Sequence, residues 1–130
     1  MIKILVFNAR RPGVSLEEYR DYYETVHAPL ARSLFPTVGV YRRNYVDLEQ
    51  TARAETRRGV TAATPGGEGG LRFDSVSEVF FDSWADFETF RDRSAEPEVR
   101  ARVLADEEHF LDPAAIRRFV VVPDGDSPWT

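Results

Sequence analysis

An α+β fold with the element order β-α-β-β-α-β is expected for this chain. Apolar segments at residues 2–8 and 115–122 read as strands near the two ends. Alternating segments at residues 37–47 and 72–82 read as a central pair. Each half also holds an amphipathic stretch that opens on a helix-capping residue.

Residues 2–8, IKILVFN, are apolar on both faces, as in a strand covered on both sides. The turn ARRPG leads to Ser15, which begins a capping box closed by Glu18. At about 100° per residue, Leu16, Tyr19, Tyr22, Tyr23, Val26, Leu30 and Leu34 share one arc of the following helix. His27 falls at the border of that arc. Pro29 removes a backbone donor and disfavours helical geometry at Ala28, so the helix is expected to run to about His27 and to kink or break there. Residues 30–34 resume as a shorter turn.

In residues 37–47, Tyr41, Arg43 and Tyr45 share one strand face, with Val38, Val40, Arg42, Asn44 and Val46 on the other. Residues 48–71 contain TPGGEGG and oppose regular structure; they read as a long loop, either a mobile lid or disordered. Residues 72–82 form the third strand. Ser83 caps a helix whose inward stripe is Trp84, Phe87 and Phe90 or Arg91, and Glu96-Pro97 restarts a second helix. Val99, Val103, Asp106 and Phe110 lie in a narrow arc of it. Residues 123–130 read as a frayed tail to a domain spanning 1–122.

This order fits a ferredoxin-like antiparallel sheet with helices on one face. End strands that are apolar on both sides require the other face to be covered too. A second copy of the chain is the simplest cover.

At 130 residues the chain is one domain. Its net charge of −5 and its interleaved arginines and acids argue against a nucleic-acid partner. No cysteine is present, which excludes disulfides, thiolate metal sites and cysteine nucleophiles. The short apolar run before Asn8 is not a signal peptide, and no segment approaches membrane-spanning length, so a soluble, cytoplasmic protein is expected.

Four segments together resemble the EthD-like branch of the dimeric α+β barrel proteins: EEYRDYYETVHAPLA, GVYRRNYV, FDSVSEVFFDSWADFETF and ADEEHFLD. The resemblance implies a homodimer whose sheets pack face to face, and a small-molecule cavity. Relatives in that superfamily include cofactor-free monooxygenases of aromatic polyketides, cyclases, dehydratases, a protein of an ether-degrading system and haem-degrading oxygenases.

His27 is the histidine within the matching segment. Its side chain can take a proton from a phenol or a carbon acid near neutral pH, or it can simply bond a backbone carbonyl freed by Pro29. Asp106, on the inward arc, either orients His27 or pairs with an arginine such as Arg43 or Arg117. Glu78 shares a strand face with Val76 and Phe80. If that face lines the barrel it is an acid or base raised by burial; if it meets Arg43 it is a cross-strand pair. Asp106 and His109 lie one turn apart but lack a third ligand, so no metal is expected.

Asn8, Tyr23, Tyr41, Arg43 and Trp84 are the residues expected to contact substrate, although tyrosines on such an arc are core residues by default and Trp84 suits packing. GGEGG lacks the strand-turn-helix setting of a phosphate cradle, so no nucleotide is expected.

The expectation is a cofactor-independent enzyme acting on an aromatic or polyketide-derived compound. Paired sheets close around a pocket into which His27 points and acts as base. The alternatives are a non-catalytic carrier of a hydrophobic metabolite and, more remotely, a haem-handling protein.

Overall fold

The computed structural model describes residues 2–59 and 72–122. Within them lies a four-stranded antiparallel sheet with spatial order β2-β3-β1-β4. Its strands are β1 (Ile2–Asn8), β2 (Val40–Tyr45), β3 (Ser75–Phe81) and β4 (Arg117–Val121). The first helix, α1 (Leu16–Tyr22), runs through a wide turn at Tyr23–His27 into α2 (Ala28–Leu34). After β3 come α4 (Trp84–Ser94) and α5 (Pro97–Glu107), while α3 (Leu48–Arg57) follows β2. Apart from α3 this is the ferredoxin-like arrangement expected from the sequence.

Local chemistry fixes the helix starts. Ser15 Oγ accepts the Glu18 amide at 3.1 Å, and Ser83 Oγ accepts the Asp86 amide at 3.2 Å. Pro97 opens α5, where its missing donor costs nothing.

The helix α3 corrects the reading of residues 48–71 as irregular throughout. Asp47 Oδ1 caps it by accepting the Gln50 amide at 2.9 Å. Arg53 and Glu49 pair along its surface at 2.8 Å. The breaking residues begin only at Gly59, and LEQTARAETR is itself made of good helix formers. The glycine-rich remainder, residues 60–71, and the tail at 123–130 lie outside the described residues.

Pro29 does not break its helix. Ala28 keeps helical angles (φ −62°, ψ −44°), and Pro29 becomes the second residue of α2. The turn before it is a π-turn, in which the Ala28 N–H bonds the Tyr23 carbonyl five residues back. Widening the coil just ahead of the proline accommodates the lost donor while His27 and Ala28 keep helical backbone angles.

Strand register assigns the two sheet faces. Ile4 opposes Val79 and Asn8 opposes Ser75, while Tyr41 opposes Val79 and Arg43 opposes Ser77. These residues face the helices. The opposite face carries Leu5, Phe7, Val76, Phe80 and Phe119 together with Lys3, Arg42 and Glu78. No element of the chain among the described residues covers it, so Phe119 is 54% exposed. Among the described residues the end strands are therefore covered on one side only.

The core between sheet and helices falls into three clusters. Tyr19, Tyr23, Phe110 and Leu111 form one; Ile4, Val79 and Phe81 another; Leu34, Phe35 and Val99 the third. Tyr41 bridges the first two, and Val38 and Phe90 bridge the last two.

Candidate functional site

Between those clusters the helices stand off the sheet and leave a cavity of about 860 Å³. Val6 and Val79 form part of its floor, and Leu30, Phe35 and Phe90 part of its wall. It lies on the helix side of one chain. This corrects the expectation of a pocket closed between two sheets.

The π-turn aims its principal polar group. A wider turn rotates the chain by less than the ~100° per residue of an α-helix, so over four residues His27 swings from the border of the apolar arc toward its middle. Its ring then packs edge-on to Tyr23, with centroids 5.3 Å apart, and against Phe110 at 5.0 Å.

His27 Nδ1 lies 2.7 Å from Asp106 Oδ2, and the Tyr22 hydroxyl donates to Asp106 Oδ1 at 2.6 Å. Asp106 is only 8% exposed, so its charge depends on these two donors. A carboxylate that accepts from Nδ1–H leaves Nε2 as the basic nitrogen. Among the described residues no protein group bonds Nε2, and the ring lines the cavity. Burial, then the Asp106 contact, pushes the Tyr22 hydroxyl up to about 12, so it remains a donor.

A second polar group stands on the sheet side. The Tyr41 hydroxyl donates to the Tyr23 hydroxyl at 2.9 Å, which shares a 2.8 Å bond with Ser77 Oγ. Burial raises both tyrosines, holding them neutral. Asn8, 2% exposed, reaches toward Tyr23 with Nδ2 at 3.5 Å. Its Oδ1 is buried with no partner among the described residues. An unpaired buried carbonyl on a cavity wall is costly unless a ligand donor completes it.

Of the residues expected at the site, His27, Asn8, Tyr23 and Tyr41 line this cavity, with Asp106 directly behind His27. Three others do not reach it.

Glu78 projects from the opposite sheet face, 3.3 Å from Lys3 and 3.7 Å from Arg42 rather than beside Arg43. Burial would raise its carboxyl, but Asn44, Lys3 and Arg42 outweigh that and hold it below the usual range. Arg43 faces the helices, yet its Nε and Nη2 donate to Glu24, at 2.7 and 2.9 Å, and its Nη1 to the Tyr41 carbonyl at 3.1 Å. Trp84 opens α4 away from the cavity, 52% exposed and packed edge-on to Phe87. This corrects its expected place in the inward stripe, which falls to Phe87 and Phe90, packed on Phe81. His109 is exposed, with its ring 5.5 Å from that of Tyr22.

Tyr22, Ser77 and Glu107 were not foreseen. Ser75 and Ser77, two small polar residues on the buried face of an apolar strand, were the available signal for the tyrosine partners. Glu107 lines the cavity and is 9% exposed. Burial raises its carboxyl despite Arg118 at 3.2 Å and the nearby His27. Beside Asp106 and Glu108 it reads in sequence as part of a solvated acidic run.

Among the described residues no three histidines, cysteines or carboxylates gather as metal ligands. None of the described helices is long and apolar enough to cross a membrane.

Residues 11–114 match the EthD domain. The chain is similar to the solved structure of an ethyl tert-butyl ether D (EthD) family protein of Bacillus halodurans C-125. That likeness has 16% identity and a TM-score of 0.58, and it covers 95% of this chain and 99% of that one. A protein of Arabidopsis thaliana is similar at 16% identity and a TM-score of 0.59, with coverage of 98% and 100%. The hydroxynitrile lyase of Passiflora edulis is similar at 16% identity and a TM-score of 0.50, with coverage of 98% and 96%. At these identities the likenesses show a shared fold.

Proposed function

Since the chain belongs to the EthD domain family, we propose that it is a small-molecule enzyme that removes a proton from an aromatic or polyketide-derived substrate. The observation that carries this reading is His27, held by Asp106 with Nε2 left free on the wall of an apolar cavity. An enzyme, the Passiflora hydroxynitrile lyase, is built on a similar fold, although fold does not dictate reaction.

The step is general-base catalysis. Nε2 takes a proton from an acidic C–H or O–H, and the imidazolium that forms is stabilised by Asp106, itself held by Tyr22. The neutral Tyr41 hydroxyl donates to Tyr23, so this side of the cavity presents acceptors, and Asn8 Oδ1 takes a hydrogen bond from a substrate hydroxyl and orients the ring that carries it. The enolate or phenolate then cyclises, expels water or reacts with oxygen. The proton transfer itself calls for no cofactor. A cavity of about 860 Å³ suits a compound of several fused rings.

The same reading includes a homodimer. The sheet face bearing Leu5, Phe7, Val76, Phe80 and Phe119 is apolar and bare in one chain, and an identical face would cover it.

Anthrone, whose methylene protons are acidic, tests the mechanism. In D2O the protein should accelerate loss of the methylene proton signal, and His27→Ala should not. Binding of anthrone without faster exchange would favour the carrier reading, since the apolar cavity serves either role.

A further inference from the structure

The cavity has a second charged region that proton abstraction does not use. Arg32 on α2 and Arg100 on α5 both line it, and both are exposed at its rim. Among the described residues neither forms an ion pair, whereas Arg118, the third cavity arginine, is engaged by Glu107 at 3.2 Å. Other arginines of the chain also lack an ion pair among the described residues; Arg32 and Arg100 are the two of these that line the cavity.

The helix pairing puts them at one level. The two helices run antiparallel: His27 meets Asp106 at one end, and Leu34 packs with Val99 at the other. Arg32 and Arg100 fall together near that second end. Five residues separate His27 from Arg32 and seven separate Glu107 from Arg100, which at ~1.5 Å rise per residue is about 8–11 Å along the helices. The wall between is apolar, formed by Leu30, Ala31 and Val103.

We propose that the substrate is an aromatic carboxylate whose acidic centre lies at His27 and whose carboxylate is bound by Arg32 and Arg100. This rests on the reading of the cavity as an aromatic-substrate site and adds to it a charge and a length. Two or three fused rings span the interval. A guanidinium pairs with a carboxylate through parallel N–H···O bonds, which favours this anion over a neutral polar group.

Titration with 2-anthracenecarboxylate and with its neutral carboxamide, read by anthracene fluorescence, tests the assignment. The wild-type protein should bind the carboxylate about tenfold more tightly. The double variant Arg32→Gln/Arg100→Gln should lose that preference while binding the carboxamide as before, which also reports that the cavity is intact. Equal affinity of the wild type for both probes, or a preference that survives in the double variant, overturns the anion site and leaves the aromatic cavity standing. Failure of both probes to bind the wild type overturns the aromatic-substrate reading, and the anion site with it.

Discussion

His27 and Asp106 stand 79 positions apart in the chain and meet with Nδ1 and Oδ2 2.7 Å apart. The contact ties the end of the π-turn to the last turn of α5. It also decides which ring nitrogen is basic, so altering Asp106 alters His27 without touching it.

Replacing His27 with alanine should lower turnover by about 10²–10⁴-fold, the span of a positioned general base. Asp106→Asn should cost a comparable factor, because an amide no longer enforces the Nδ1–H tautomer. Steady-state rates measure both. Full activity in either variant would remove the dyad from the mechanism.

Tyr22→Phe deletes one of the two donors to the Asp106 carboxylate. A loss of about 1–3 kcal/mol is expected, since the carboxylate is buried and charged. Urea unfolding should show a lower midpoint at unchanged slope. An unshifted midpoint would mean that the 2.6 Å contact contributes nothing.

Glu107 makes stability depend on pH with a definite sign. Burial raises its folded-state pKa above the unfolded value. Its favourable contribution is therefore complete below the unfolded pKa and is lost as pH rises through the folded one. Glu107→Gln should be more stable than wild type at pH 8, with the gain vanishing at pH 4. Unfolding midpoints at the two pH values decide the matter, and a gain confined to acid pH would contradict it.

Phe119→Glu places a charge on the bare sheet face. If that face joins two copies, light scattering at micromolar concentration should find a dimer for the wild type and a monomer for the variant. A monomeric wild type would refute the paired barrel.

Strand order and most helix starts could be read directly, because periodicity and caps act over a few residues. Ser15, Ser83 and Pro97 each mark a boundary by a local bond or a missing donor. The end of the first helix could not be read this way. Its fixed 100° step left His27 at a border and put Val26 on the apolar arc, where the structure leaves it 41% exposed, and so does not reveal the widened turn that carries His27 toward Asp106. The helix after β2 was hidden by the glycines that follow it.

Asn8, Tyr23, Tyr41 and His27 could be found as polar groups on apolar faces. Their grouping comes from packing between distant elements. Arg43 and Glu78 show the converse. Each sits on an identifiable strand face, but the partners that occupy them, Glu24 on the first helix and Lys3 on β1, are set by tertiary neighbours. Alternation fixes a face and says nothing of what stands across from it.

The cavity is lined by the helices and sheet of a single polypeptide, and every group assigned to the chemistry comes from that one chain. Two joined copies would work independently. A hybrid carrying one inactivated subunit would retain half the turnover of the intact pair, and saturation would follow a simple hyperbola. Association would then protect an apolar surface from water and leave the chemistry to each chain alone.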